Sequence, residues 1–152
     1  MDTTEQAKPR LKPYTFKTSM TLTGGHSGVL SSEGKPSILI SHPREFKGEP
    51  GLWSPEEMFV ASVEACQMST FLLFAAKKAV QILEYRSHSN GVLESVDGDY
   101  RFTRIVIFPT ITVAKAAIEE DVHALLREAE KHCLVANSIA SIVEVNPTII
   151  LR

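Results

Sequence analysis

The chain is poor in the residues that staple small proteins together. It has two cysteines and five histidines in 152 residues. Cys66 and Cys133 show no CxxC spacing, and no histidine pair stands in an HxxxH or similar arrangement, so a metal site is not expected. Net charge is equally scarce. The formal value is -2, and Lys and Arg are scattered and form no stripe, which argues against nucleic acid or an anionic membrane as partner. The first residues, MDTTEQAKPRLKP, lack the apolar run of a secretory signal, so a cytoplasmic location is expected. In that compartment two cysteines far apart in sequence are more readily thiols than a permanent bridge. There is no repeat or low-complexity tract, and no cofactor is expected.

What is present is the composition of an ordinary soluble domain, 43% hydrophobic and 22% charged. Residues 1–13 read as a flexible arm and 14–152 as a single domain. Tyr14 to Thr23, Ser27 to Ser31 and Ser37 to Ser41 suit three short antiparallel strands, and His42 to Trp53 reads as a loop. The next stretch dominates the chain. From Ser54 to Val80, a Ser-Pro-Glu-Glu start and a Lys-Lys end frame a helix whose middle is apolar on every side. Such a helix is expected to be buried all round, against a second copy of itself. A membrane span is excluded by Glu64, Gln67, Ser69 and Thr70, which interrupt the apolar run. Two long strands follow, Ile82 to Val96 and Tyr100 to Val113, joined at Asp97-Gly98-Asp99, and Pro109 suggests a bulge or an edge position. An amphipathic helix over Ile118 to Cys133, a short turn at Leu134 to Ile139 and a strand over Ser141 to Leu151 complete an α+β fold with a mainly antiparallel sheet.

Each residue that could carry chemistry also has a structural explanation. Cys66 and Cys133 can be small apolar filler, or they can meet where their helices cover one sheet face. In the second case one thiolate attacks a peroxide and the other thiol traps the sulfenic acid as a disulfide. The attacking thiolate needs a lowered pKa, and mid-helix Cys66 gets no help from the dipole, so a nearby cation is expected. Glu56 and Glu57 fit the first helical turn. Glu64 must reach a Lys, an Arg or solvent, or else border the same pocket. His26, after Gly24-Gly25, can point anywhere, and His132 is assigned no role.

Thr23 to Gly34 (TGGHSGVLSSEG), Ser54 to Cys66 (SPEEMFVASVEAC), and a helix ending in Cys133 followed by Ala136 to Ser138 (ANS) together resemble the OsmC/Ohr superfamily over about residues 14–152. The resemblance implies an intertwined homodimer with two long central helices and thiol-based reduction of organic hydroperoxides at the dimer interface. It makes Cys66 the peroxidatic cysteine, Cys133 the resolving one and Glu56 the site glutamate. A dithiol or thiol-protein would be the reductant. The family's arginine falls on His26, which is charged mainly below a pH of about 6.5 and offers fewer donors. The proline usual after the second cysteine is Leu134, and Arg44 or Arg86 could supply a cation from elsewhere. Phe59, Met68, Phe71 and Trp53 are candidate walls of an apolar substrate pocket, and core filling explains them equally. The alternative function is a binding or sensing protein for a small apolar ligand.

Overall fold

The computed structural model describes residues 11–152, so most of the expected N-terminal arm lies outside the described residues. The chain divides into two compact units at Ser54/Pro55.

The first unit is a three-stranded antiparallel meander of β1 (Ser19–Gly24), β2 (Ser27–Ser31) and β3 (Ile38–Ile40). Gly24 and Gly25, at φ 148° and 53°, make the tight β1–β2 connection. The first strand begins five residues later than its aromatic and β-branched pattern suggested, because only Ser19 onward finds partners on β2. A short 3-10 turn (Arg44–Phe46) interrupts the loop that follows β3, and Trp53 returns to bridge Ile40.

The second unit opens with helix α1 (Pro55–Lys77), with Glu56 and Glu57 in its first turn and Lys77 in its last. It stops short of Val80 because Ala79 turns left-handed at φ 55°. The amides of Ala79 and Val80 then bond back to the carbonyls of Ala76 and Ala75, a helix stop usually built on glycine. After α1 come β4 (Ile82–Val96) and β5 (Asp99–Val113), an antiparallel hairpin closed by Asp97 and Gly98, both at positive φ. Helix α2 (Glu119–His132) and a 3-10 turn (Ala136–Ser138) lead to β6 (Ile142–Val145) and β7 (Thr148–Leu151). The expected single last strand is thus two, broken at Asn146-Pro147, and both run parallel to β5. The architecture is α+β, with mainly antiparallel pairing.

Pro109 occupies neither a bulge nor an edge. It lies in β5, the central strand, opposite Ser87, between the segment paired with β6 (Arg104 to Ile107) and the segment paired with β7 (Thr110 to Val113). At that break a residue without an N–H interrupts neither run of bonds.

Alternation along β5 places Ile105, Ile107, Ile111 and Val113 on the covered face. α1 lays Val63, Gln67, Phe71 and Ala75 against this unit, one residue per turn. Two apolar clusters result: Val63 with Ile105 and Ile107, and Phe71 with Ala75, Ile111, Val113 and the buried face of α2. Between them sits Gln67, 1% exposed, whose amide finds no hydrogen-bond partner among the described residues. By length and composition α1 is the one helix among the described residues that would reach across a membrane. Within this chain it is not buried all round: Leu72 and Leu73 remain open, Leu73 at 53%. The apolar pattern exceeds what one copy's sheet can cover.

α1 passes closest to β4 at Gly91, where an added Cβ would stand 2.4 Å from Val60 Cγ2 and 2.9 Å from the Phe102 ring. Gly91→Ala should therefore cost about 1–3 kcal/mol in denaturant unfolding, the usual range for overpacking. Val60→Ala in the same background should recover part of that loss; additive losses in the double variant would contradict this contact.

Candidate active site

Helices α1 and α2 pack against each other through the larger apolar cluster. Cys66 lies in the middle of α1, and Cys133 is the residue on which α2 ends, in extended conformation (φ -66°, ψ 106°). Each thiol affects the ionisation of the other, and both are free. Cys133 is fully buried and Cys66 partly so.

The two sulfurs are electrostatically unequal. Burial works against ionisation of Cys66, but the backbone N–H of Val135, the Cys133 thiol, the Thr70 hydroxyl and the N–H of Leu134 outweigh it and bring its pKa below the ordinary 9.0. Burial pushes Cys133 up to about 11; the Ala136 and Val135 amides oppose this, while the Cys66 sulfur adds to it as hydrogen-bond acceptor and as charge. Cys66 therefore ionises more readily than Cys133, and the two titrate as a pair.

Among the described residues, the groups that lower Cys66 are main-chain amides, a thiol and a hydroxyl. The donors come from another segment, residues 134–136, which the fold carries to the middle of α1 from the end of α2. That segment is held by bonds of its own. The Asn137 amide donates to the Cys133 carbonyl (2.9 Å), the Asn137 side chain to the Lys131 carbonyl (2.8 Å), and the Ser138 hydroxyl to the Leu134 carbonyl (2.7 Å). Sequence reasoning noted Leu134 only for the proline it replaces and passed over Val135 and Ala136. Backbone donors leave no residue-type signal; the Asn-Ser pair that shapes the turn is the nearest thing to one.

The other candidates lie as follows. Glu56 is in the first turn of α1, ten residues before Cys66 and so about 15 Å away along the axis. Its Oε2 is buried without a hydrogen-bond partner among the described residues. Glu64 reaches neither a basic group nor the cysteines; it accepts a hydrogen bond from the Ser87 hydroxyl on β4. With Ser87 it borders Tyr85, whose hydroxyl is pushed up to about 12, first by burial, with Ser87 opposing and the Glu64 charge adding. Arg86 pairs with Glu84 at 3.1 Å and is mostly exposed, on the alternate side of the strand from Tyr85 and Ser87. It is not the cation of this site. Phe59 stacks on Phe102 at 4.9 Å and packs against the Val63 cluster, Met68 is half-buried, and Phe71 is wholly enclosed in the core. In the first unit His26 is exposed with its ring 4.6 Å from that of His42, Trp53 is 49% exposed, and Arg44 begins the 3-10 turn. His132 Nδ1 donates to the Glu128 carbonyl (2.9 Å), and the ring rests on Phe74. Among the described residues no group of three or more His, Cys, Asp or Glu could hold a metal.

An α+β chain in which a long helix and the end of a second helix present two interacting thiols defines a class of dithiol protein. The family model for OsmC-like protein matches residues 48–148, and the chain belongs to that family. Its similarity extends to the uncharacterized protein YmaD of Bacillus subtilis (strain 168), 24% identical over 120 residues, covering 77% of this chain and 79% of that one. Among solved structures, an OsmC-like protein of unknown function from Vibrio cholerae superposes with a TM-score of 0.83 at 20% identity, over 90% of this chain and 100% of that one. An organic hydroperoxide resistance protein from Elizabethkingia anophelis superposes with a TM-score of 0.72 at 20% identity, over 93% and 99%.

Removing one sulfur should reveal the coupling. In Cys66→Ser, Cys133 loses the neighbouring charge and the thiolate that accepts its proton, so its titration should fall from about 11 towards the ordinary 9.0. Thiolate ultraviolet absorbance followed against pH measures this; an unchanged Cys133 inflection would show that the two sulfurs do not interact.

Proposed function

We propose that the protein is a thiol-dependent peroxidase that reduces organic hydroperoxides through Cys66 and Cys133. The observation that carries the reading is the unequal pair: one sulfur tuned below the ordinary thiol pKa, the other held protonated beside it. The Cys66 thiolate attacks the distal peroxide oxygen, the O–O bond breaks, and the leaving alkoxide takes up a proton to become an alcohol. The sulfur of Cys133 then attacks the Cys66 sulfenic acid. An S–S bond forms, the S–O bond breaks, and hydroxide leaves as water with the Cys133 proton. A dithiol or thiol-protein returns the disulfide to two thiols by exchange.

The protein acts in this reading as a homodimer in the cytoplasm. The apolar surface that α1 leaves open supports a second copy. Glu56 belongs to the surroundings of the site in this reading, and Phe59 and Met68 supply apolar surface for the substrate, whereas Phe71 is enclosed in the core. The name of the Elizabethkingia anophelis relative favours hydroperoxides as that substrate.

A second reading is supported by Glu56. Its unpartnered buried oxygen, with histidine at the position of the family arginine, suits a protein that kept the fold and pocket but binds or senses an apolar ligand with little turnover. Cumene hydroperoxide separates the two. The peroxidase should lose both free thiols per equivalent reduced, Cys66→Ser should lose neither to a disulfide, and Cys133→Ser should accumulate sulfenic and then sulfinic acid at Cys66. Unchanged thiol counts in the wild type, with an apolar ligand retained in native mass spectrometry, would establish the binding protein instead.

A further inference from the structure

We propose that the seam between α1 and β4 binds a monovalent alkali cation, held by the Glu64 carboxylate and by neutral oxygens of Ser87, Tyr85 and Gln67. The two strands beneath α1 differ in character. β5 covers its part of the core with Ile105, Ile107, Ile111 and Val113. β4 instead turns Tyr85, Ser87, Ser89 and Gly91 towards the helix, alternating with exposed Glu84, Arg86, His88 and Asn90. Three contacts fix how α1 crosses these residues: Val60 at Gly91, Glu64 at Ser87 and Phe71 at Tyr85, with the two rings 6.0 Å apart. Gln67 follows Glu64 by three residues and precedes Phe71 by four, so its amide comes between the levels of Ser87 and Tyr85.

Polar groups outnumber partners along this seam. Glu64 Oε1 accepts from the Ser87 hydroxyl at 2.5 Å, and no basic group among the described residues reaches the carboxylate. Both polar atoms of the Gln67 amide, in a residue 1% exposed, are buried without a hydrogen-bond partner, as are the Tyr85 and Ser89 hydroxyls. Buried groups left in this way cost stability until something answers them. The chemistry of the donors selects what does. They are all oxygens, which suit hard cations, while the nearest imidazole, His88, turns to the opposite face and stacks on Phe108. Glu64 brings a single negative charge, matching a monovalent ion; divalent calcium is ordinarily held by several carboxylates. The Ser87 oxygen, with its proton on Glu64, keeps lone pairs for the ion. Burial and the Glu64 charge push the Tyr85 hydroxyl up to about 12, so it joins as a neutral ligand. The ion ties α1 to β4 two residues before Cys66 and steadies the segment that carries the thiol without touching the sulfur.

Nothing in this depends on peroxide chemistry, and the test uses none. The full chain is unfolded by heat in potassium chloride and in choline chloride of equal concentration, so that screening is the same in both. Potassium should raise the midpoint by about 3 °C. Glu64→Gln keeps the shape of the side chain and an acceptor for Ser87 but removes the charge, and it should unfold at one temperature in both salts. In crystals grown with thallium(I), an anomalous peak should stand beside the Glu64 carboxylate. Equal wild-type midpoints in the two salts, a potassium effect that survives in Glu64→Gln, or no thallium at Glu64 overturns the proposal. A rise given by calcium chloride through Glu64, and not by potassium, overturns the monovalent assignment.

Discussion

The two thiols of the second unit bear on each other's ionisation, and their surroundings shift them in opposite directions. A thiolate is poorly tolerated in an apolar setting, and burial alone would neutralise both cysteines. The balance tips at Cys66 because an amide pair and a hydroxyl reach it from two different elements. At Cys133 the same burial meets an adjacent negative sulfur and keeps the proton on. The two thiols thus differ by their neighbours, not by their chemistry.

The rest of the unit positions these neighbours. α1 is anchored to the sheet by one residue per turn, so Cys66, one position before Gln67, is held at the edge of the buried stripe. α2 rests Val122, Leu125, Leu126 and Ala129 in the larger apolar cluster, which fixes where the helix ends and where Cys133 and the following turn begin. The smaller cluster includes Val135, Ala136 and Ile139, so the turn is packed from beneath as well as bonded within. Gln67 and Glu64 break the apolar interface between α1 and the sheet at its middle. Glu64 is answered by the Ser87 hydroxyl; Gln67 divides one cluster from the other.

Much of this was legible in the residue order, because the signals concerned are local. The Ser-Pro-Glu-Glu start, the Asp97-Gly98 turn and the four-residue recurrence along α2 each state their geometry within a few positions, and the elements follow them closely. Other features depended on partners that no local pattern names. Tyr14 to Lys17 read as strand but find no β2 residue to pair with. The last strand divides at Asn146-Pro147 and turns parallel to β5, and Pro109 is accommodated in a central strand because that division falls beside it. Ala79 stops α1 through a backbone conformation that its side chain does not advertise.

At the site the same boundary holds. The order of amino acids alone established that two thiols exist, that one lies within a long apolar helix and the other at the end of an amphipathic one, and that no charged motif accompanies them, since each is a property of composition and period. Tertiary structure decided that the two thiols affect each other's ionisation, and that the backbone of the turn after α2 bears on both. Every residue but proline carries an N–H, so only the path of the chain determines where such a donor points.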